Sequence, residues 1–285
     1  TGDHGYALFD TFRKECPNQY INAGIAEQNM VGMAAGLARM GFKPFVYGLA
    51  AFIPVRVVEQ IKLDIAHDNL PVVLLGDGAG FVYSHLGTSH QSTEDIACTR
   101  AIPNLTVLSP ADRFEQTLCM TWAYECNGPV YLRMGKSDRG DVHQGAIDGS
   151  MGKLLQLKSS PVNDVALIAT GSMVKTALDL VRSDLPNAST YSVPCLKPLD
   201  TKAMVDVITQ HRLLVTLEEH HTDGGLGSLV CEISSRYAPR KILRIGVQDR
   251  FSHHCGTYDY LMHEHGISLD KTKRKIFDFL DEGTL

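Results

Sequence analysis

The chain has 285 residues, 44% of them hydrophobic and 21% charged, with a formal net charge of −5. That is enough apolar content for two cores of ordinary domain size, without the basic excess that nucleic acid or an anionic membrane surface selects. No apolar run reaches the roughly 20 residues of a membrane span, the first residues do not read as a secretory leader, and the seven cysteines (Cys16, Cys98, Cys119, Cys126, Cys195, Cys231, Cys255) show no CxxC pairing, which reads as reduced thiols in a cytoplasm.

In chain order, the first strong pattern is a helix over 27–40. Its residues Met30, Val31, Met33, Ala34, Ala35, Leu37, Ala38 and Met40 are apolar almost all round, the pattern of a buried helix. Glu27 falls in its first turn, where two effects compete. Burial disfavours the charged carboxylate and the helix N-terminus favours it, and a buried partner able to share a proton settles the balance. The ordinary alternative is a capping or salt-bridged glutamate.

Short apolar runs then alternate with helical patterns. Strands are predicted over 44–47, 71–75, 105–108 and 129–132, and helices over 51–67, 93–100 and 112–126. That alternation argues for a parallel sheet with helices on both faces, whose ligands bind beyond the carboxyl ends of the strands. Gly76-Asp77-Gly78 and Ser84-His85 lie in that zone. Residues 136–153 are charged and glycine-rich without an apolar period. They mark a linker, bounded as 141–152, between domains over 1–140 and 153–285. A second alternating set covers 164–169, 174–182, 188–192, 201–210, 213–217, 226–237, 242–245 and 270–280, so the fold class expected is α/β with two doubly wound domains.

The run Ile21-Asn22-Ala23-Gly24-Ile25-Ala26-Glu27-Gln28-Asn29 through Ala38 resembles the pyrimidine-binding domain of transketolases and their thiamine-diphosphate relatives. The resemblance continues through Glu59-Gln60-Ile61, Gly87-Thr88-Ser89-His90-Gln91, Arg100-Ala101-Ile102-Pro103-Asn104, Ser109-Pro110-Ala111-Asp112 and Gly128-Pro129-Val130-Tyr131-Leu132-Arg133. In the second half, Ala169-Thr170-Gly171-Ser172, Lys197-Pro198-Leu199-Asp200, Glu218-Glu219-His220 and Gly224-Gly225-Leu226-Gly227 resemble the transketolase carboxy-terminal domain. Nearly the whole chain is covered. The chain opens where the family has just finished its first strand, and the diphosphate-binding domain of a full-length transketolase has no counterpart in it.

The resemblance implies roles. Glu27 is the carboxyl that hydrogen-bonds N1′ of the cofactor's aminopyrimidine, which sets the tautomer the chemistry needs. Phe52 stacks on that ring, worth roughly 0.5–1.5 kcal/mol beyond burial. Relatives often carry a second aromatic where this chain has Leu49. Ile25 and Arg56 complete the expected cofactor contacts. His90 is the histidine that faces the substrate's carbonyl end and holds or moves a proton. Arg133 stands at the family's phosphate-arginine position. Two departures touch the substrate. Gly78 replaces a histidine or arginine near the acceptor phosphate, and Leu86 replaces an aspartate that reads a sugar hydroxyl, with His85 beside it as the compensating cation.

Gly76-Asp77-Gly78 with Asn104 mimics the family's Mg²⁺ and diphosphate motif. It lies inside the pyrimidine domain, so no metal ligand is assigned in this chain. The remaining histidines lack zinc-pair spacing. These features imply the carboxy-terminal subunit of a split transketolase. A separate amino-terminal subunit supplies Mg²⁺ and diphosphate binding, in an α2β2 assembly, with a sugar or sugar phosphate of unusual type as substrate. Two other readings stand beside it, the beta subunit of a 2-oxoacid dehydrogenase and a non-catalytic partner subunit.

Overall fold

The computed structural model describes residues 1–5 and 7–282. Its first half runs Asp10–Glu15 (α1), Glu27–Arg39 (α2), Phe45–Leu49 (β1), Val58–Gln60 (α3, continued by π-helical turns at Ile61–Ala66), Val73–Asp77 (β2), Asp95–Arg100 (α4), Thr106–Leu108 (β3), Arg113–Glu125 (α5) and Val130–Met134 (β4). The second half runs Leu155–Lys158 (β5), Val165–Ala169 (β6), Met173–Ser183 (α6), Ala188–Ser192 (β7), Cys195–Lys197 (β8), Thr201–Gln210 (α7), Leu213–His221 (β9), Leu226–Tyr237 (α8), Lys241–Val247 (β10), Tyr258–Glu264 (α9) and Leu269–Glu282 (α10).

These elements form two five-stranded sheets, ordered β1-β2-β4-β3-β8 and β10-β9-β6-β7-β5. Each sheet is parallel except for one antiparallel edge strand, β8 in the first and β5 in the second. The expected two-domain α/β architecture is present, but the first sheet is not purely parallel. It takes β8 from the second half, with Val107 opposite Lys197 and Leu108 opposite Cys195. Among the described residues no helix is long and apolar enough to cross a membrane.

Two elements depart from their sequence patterns for physical reasons. The helix expected from 51 begins late, because Pro54 lacks a donor and restrains the residue before it; helical turns start only at Val55. The helix expected to be buried all round, α2, buries one face. Met30, Val31, Ala34, Ala35 and Ala38 pack against Val46, Ile61 and Ile65. Its opposite face, with Gly32, Met33, Gly36 and Met40, has no such cover, and a side-chain carbon added at Gly32 or Gly36 would meet open space.

The segment that crosses between the halves is anchored. One carboxylate oxygen of Asp112 caps α5, accepting from Phe114 N at 3.0 Å and Glu115 N at 2.9 Å. Its other oxygen accepts from the Val142 and His143 amides, both at 2.9 Å. The buried Glu115 carboxylate accepts from Ala111 N at 2.8 Å and contacts His143 Nε2 at 3.0 Å. Burial opposes a charge on His143, but the Glu115 bond and charge outweigh it and raise the imidazole above its ordinary 6.5. The folded state therefore holds a proton there that the unfolded chain releases first. Stability from this pair is full below about pH 6.5 and fades as pH rises through the higher folded value. Urea unfolding from pH 6 to pH 9 is expected to show the gap between wild type and His143→Ala shrinking with rising pH; a gap that stays constant or widens contradicts this.

Candidate functional site

The carboxyl ends of β1 and β2 and the start of α2 face the same region. Glu27 is the first residue of α2 and only 4% exposed. Its Oε2 pairs with Arg56 Nη1 at 3.0 Å. Its Oε1 is buried and has no partner among the described residues. A buried acceptor left unsatisfied costs about 1–3 kcal/mol, so this oxygen is suited to a ligand's N–H.

Arg56 is 47% exposed and lies with its guanidinium carbon 4.1 Å from the centroid of Phe52. Phe52 in turn meets His90 edge-on, centroids 5.4 Å apart, and His4 at 6.1 Å. Glu27, Arg56, Phe52 and His90 are thus one run of contacts, although 63 residues of sequence separate its ends. Local hydrogen bonds set Phe52: its amide and that of Ile53 both return to the Leu49 carbonyl, at 2.8 and 2.7 Å. His90 ends a short turn at Thr88–His90, and its Nδ1 contacts Ser89 Oγ at 2.9 Å, leaving Nε2 for a ligand.

The other sequence-derived candidates divide. Ile25 projects into solvent at 80% exposure just before Glu27, while Leu49 is buried at the end of β1. His85 and the 56%-exposed Leu86 stand on the loop leading to His90. Arg133 requires a correction. It is 3% exposed, its Nε is bound to Asp95 Oδ2 at 2.8 Å, and its Nη2 donates to the carbonyls of Glu219 at 2.8 Å and Ser92 at 3.3 Å. Tyr131 donates to the same Asp95 oxygen at 2.7 Å. These contacts tie the two halves together instead of presenting a cation to phosphate. Asn104 is likewise structural, donating to the Ala66 carbonyl at 2.9 Å from a left-handed backbone of φ +65°.

Some contacts around the site had no signal in the sequence. Gln91, next to His90, accepts from Ser252 Oγ at 2.8 Å, and Ser252 contacts His265 Nε2 at 2.9 Å. Phe81 stacks on that imidazole at 4.7 Å. Burial, then the nearby Arg250 charge, push His265 down to about 4, so it is neutral at ordinary pH. Glu219 accepts from Phe81 N at 2.7 Å, Tyr258 Oη at 2.5 Å and Ser172 Oγ. These pairs lie tens to more than a hundred residues apart, beyond the reach of spacing arguments.

The family description "Transketolase, pyrimidine binding domain" matches residues 4–140, and "Transketolase, C-terminal domain" matches residues 153–271. A "Putative transketolase C-terminal section" of Methanocaldococcus jannaschii is 34% identical over 276 residues, covering 94% of this chain and 84% of its own. One of the subunits of an apulose-4-phosphate transketolase from Actinobacillus succinogenes is 32% identical over 264 residues, covering 91% and 84%. A solved structure described as "Split gene transketolase, inactive beta4 tetramer" superposes with a TM-score of 0.89 at 32% identity, over 98% of this chain and 90% of that one.

Arg133 yields a test of its reassignment. Arg133→Met leaves the Asp95 carboxylate buried and uncompensated, and is expected to cost about 3–5 kcal/mol. Adding Asp95→Leu is expected to recover much of that loss, as a double-mutant cycle in urea unfolding would read. Near-wild-type stability of Arg133→Met would return the guanidinium to a ligand role.

Proposed function

This chain belongs to the transketolase family, and on that premise we propose that it is the pyrimidine-binding, carboxy-terminal subunit of a split transketolase, transferring a two-carbon ketol unit from a ketose to an aldose with thiamine diphosphate as cofactor. The observation that carries the reading is the unpartnered, buried Oε1 of Glu27, linked to the Phe52 ring through Arg56. That pair offers one acceptor and one flat apolar surface, which fits the edge and face of an aminopyrimidine. Thiamine diphosphate, when bound, supplies the electron sink on which the two-carbon unit is carried.

The protein's own part is positional and protonic. Glu27 Oε1 would share a proton with the ring nitrogen, while Arg56 keeps the other carboxylate oxygen in place. Phe52 sets the ring plane, with Leu49 beneath it and Ile25 at the mouth. His90 Nε2 gives or takes a proton at the sugar's oxygen, its ring oriented through Ser89. His85 and Leu86 lie toward the substrate. Leu86 cannot accept from a hydroxyl, which supports a substrate other than the usual sugar phosphates.

Mg²⁺ and the diphosphate are assigned to a separate amino-terminal subunit. The names of the relatives, one a "C-terminal section" and the other a subunit of a multi-chain transketolase, support that division. The open face of α2 at Gly32, Met33, Gly36 and Met40 supports association, in an α2β2 complex. We place the complex in the cytoplasm, where the free thiols stay reduced. The domains are taken as 1–140 and 153–285, joined by 141–152.

Two outcomes check the proposal. In the reconstituted complex, Glu27→Gln is expected to lower thiamine-dependent turnover by about 10²–10⁴-fold with the fold intact by circular dichroism. Near-normal turnover removes Glu27 from the mechanism. By calorimetry, this subunit without its partner is expected to bind thiamine diphosphate far more weakly than the complex, because the charge-assisted phosphate contacts lie on the other subunit. Micromolar, Mg²⁺-dependent binding by this subunit alone contradicts the division of labour.

A further inference from the structure

A second polar cluster sits at the carboxyl edge of the first sheet, and none of the roles above uses it. Asp77 closes β2. Its Oδ2 accepts from Tyr47 Oη and from Tyr83 Oη, both at 2.8 Å. Tyr47 is buried on β1, whereas Asp77 and Tyr83 are half-buried and open to solvent on one side. Burial first, and the Asp77 hydrogen bond second, raise both phenols well above their ordinary value. Both hydroxyls therefore stay protonated, with their donors directed at Asp77. Among the described residues nothing donates to Asp77 Oδ1. What the cluster presents outward is acceptors, the Asp77 carboxylate and the Tyr83 phenolic oxygen.

Three contacts place the cluster beside the candidate site. Asp77 is the register partner of Leu49, and its carbonyl accepts from Ala50 N at 2.6 Å. The turn carrying Phe52 is thus built on the strand end that Asp77 closes. Tyr83 enters the loop that carries Leu86 and His90. Phe9 stands edge-on to Tyr47 at 4.9 Å, and Gly5 packs against both. Its neighbour His4 is the residue that faces Phe52.

Position 78 is closed to a cation by construction. Gly78 has φ +77°, and a side-chain carbon there would lie 2.0 Å from the Tyr83 ring. No cationic side chain fits at position 78 while Tyr83 keeps its bond to Asp77. Across from Asp77 is Met134; the next cation along that strand, Lys136, is committed to Asp138 at 2.8 Å.

We propose that Asp77, with Tyr47 and Tyr83, is a specificity element of the substrate site, accepting hydrogen bonds from the hydroxyls of a neutral polyhydroxylated sugar and disfavouring a sugar that ends in phosphate. A hydroxyl donated to a carboxylate is a charge-assisted bond, while a phosphate brought to the same place meets a like charge. The assignment rests on the ketol-transfer reading.

The test compares D-xylulose with D-xylulose 5-phosphate, one carbon skeleton with and without the anion, in the reconstituted complex. Wild type is expected to give the higher kcat/KM with D-xylulose. Asp77→Asn is expected to raise the phosphorylated-to-neutral ratio about tenfold or more, mostly through KM, the scale of one charged contact. A wild-type preference for the phosphorylated sugar, or a ratio unmoved in a folded Asp77→Asn protein, overturns the assignment. A second measurement separates this from the reaction itself. Amide NMR of the isotopically labelled chain is titrated with threitol and with inorganic phosphate. Shifts at Leu49, Ala50, Asp77 and Tyr83 with threitol and not with phosphate uphold the cluster even if neither sugar turns over, an outcome that overturns the ketol-transfer reading alone. Shifts with phosphate only, or none with threitol, overturn the cluster.

Discussion

Everything near the site depends on a buried charge junction between the two halves. Arg133 at β4 is surrounded by the Asp95 carboxylate and the carbonyls of Ser92 and Glu219. One residue of β9 completes the junction from the other side, since the Glu219 carboxylate reaches back to Phe81 N, Ser172 and Tyr258. Removing such charges from water is expensive, and the bonds to Arg133 and to Asp95 Oδ2 offset that cost, although Asp95 Oδ1 has no partner among the described residues. The junction bonds the two sheets' elements to each other directly. It also leaves no space for a side chain at Gly80, where an added carbon would lie 2.2 Å from Glu219 Oε1. The loop from Phe81 to Gln91, which carries His90, starts from this point.

The sequence was most legible where one local pattern marks both an element and a candidate residue. Glu27 sits at a helix start and is followed by a long apolar helical pattern, so local signals locate it, and α2 begins there. Phe52 and His90 were readable from the blocks around them, and they meet in space. Long elements in the second half, such as α7 and α8, fall on the expected residues because their apolar periods are strong. Reading failed where the cause is tertiary. β8 is three residues held between Pro194 and Pro198, too short for a periodic signal. The outer face of α2 reads as core because apolar residues cover it, yet among the described residues nothing covers it as the inner face is covered. Arg133 lies in a recognisable block, but its charge is satisfied by Asp95, 38 residues earlier, and by a carbonyl 86 residues later.

The site is chemically one-sided. Its deep end holds the buried Glu27 carboxylate, paired to Arg56 through one oxygen and without a partner at the other among the described residues. Its rim carries exposed polar groups on a loop whose backbone is pinned from the second half, through Ser252 and Gln91 and through Gly87, against which Cys255 packs. The second half therefore acts on the site by holding the loop that carries His90, and the neutral His265 suits that role because it neither gains nor loses charge across ordinary pH. Rigid support of this kind suits the proton-transfer role proposed for His90, since small displacements weaken such transfer steeply.

The strand β8 has a consequence for how the chain is made. During synthesis the first four strands of the first sheet emerge early, but β3 remains an unpaired edge until Cys195–Lys197 has left the ribosome. An open edge is a template for the wrong partner. The nascent first half is thus exposed to strand capture by other chains for as long as the intervening residues take to appear, and its pairing with β8 is a long-range contact of the kind that forms slowly. The two halves match different family descriptions yet share one sheet, so the first half is not an independent unit to the folding chain.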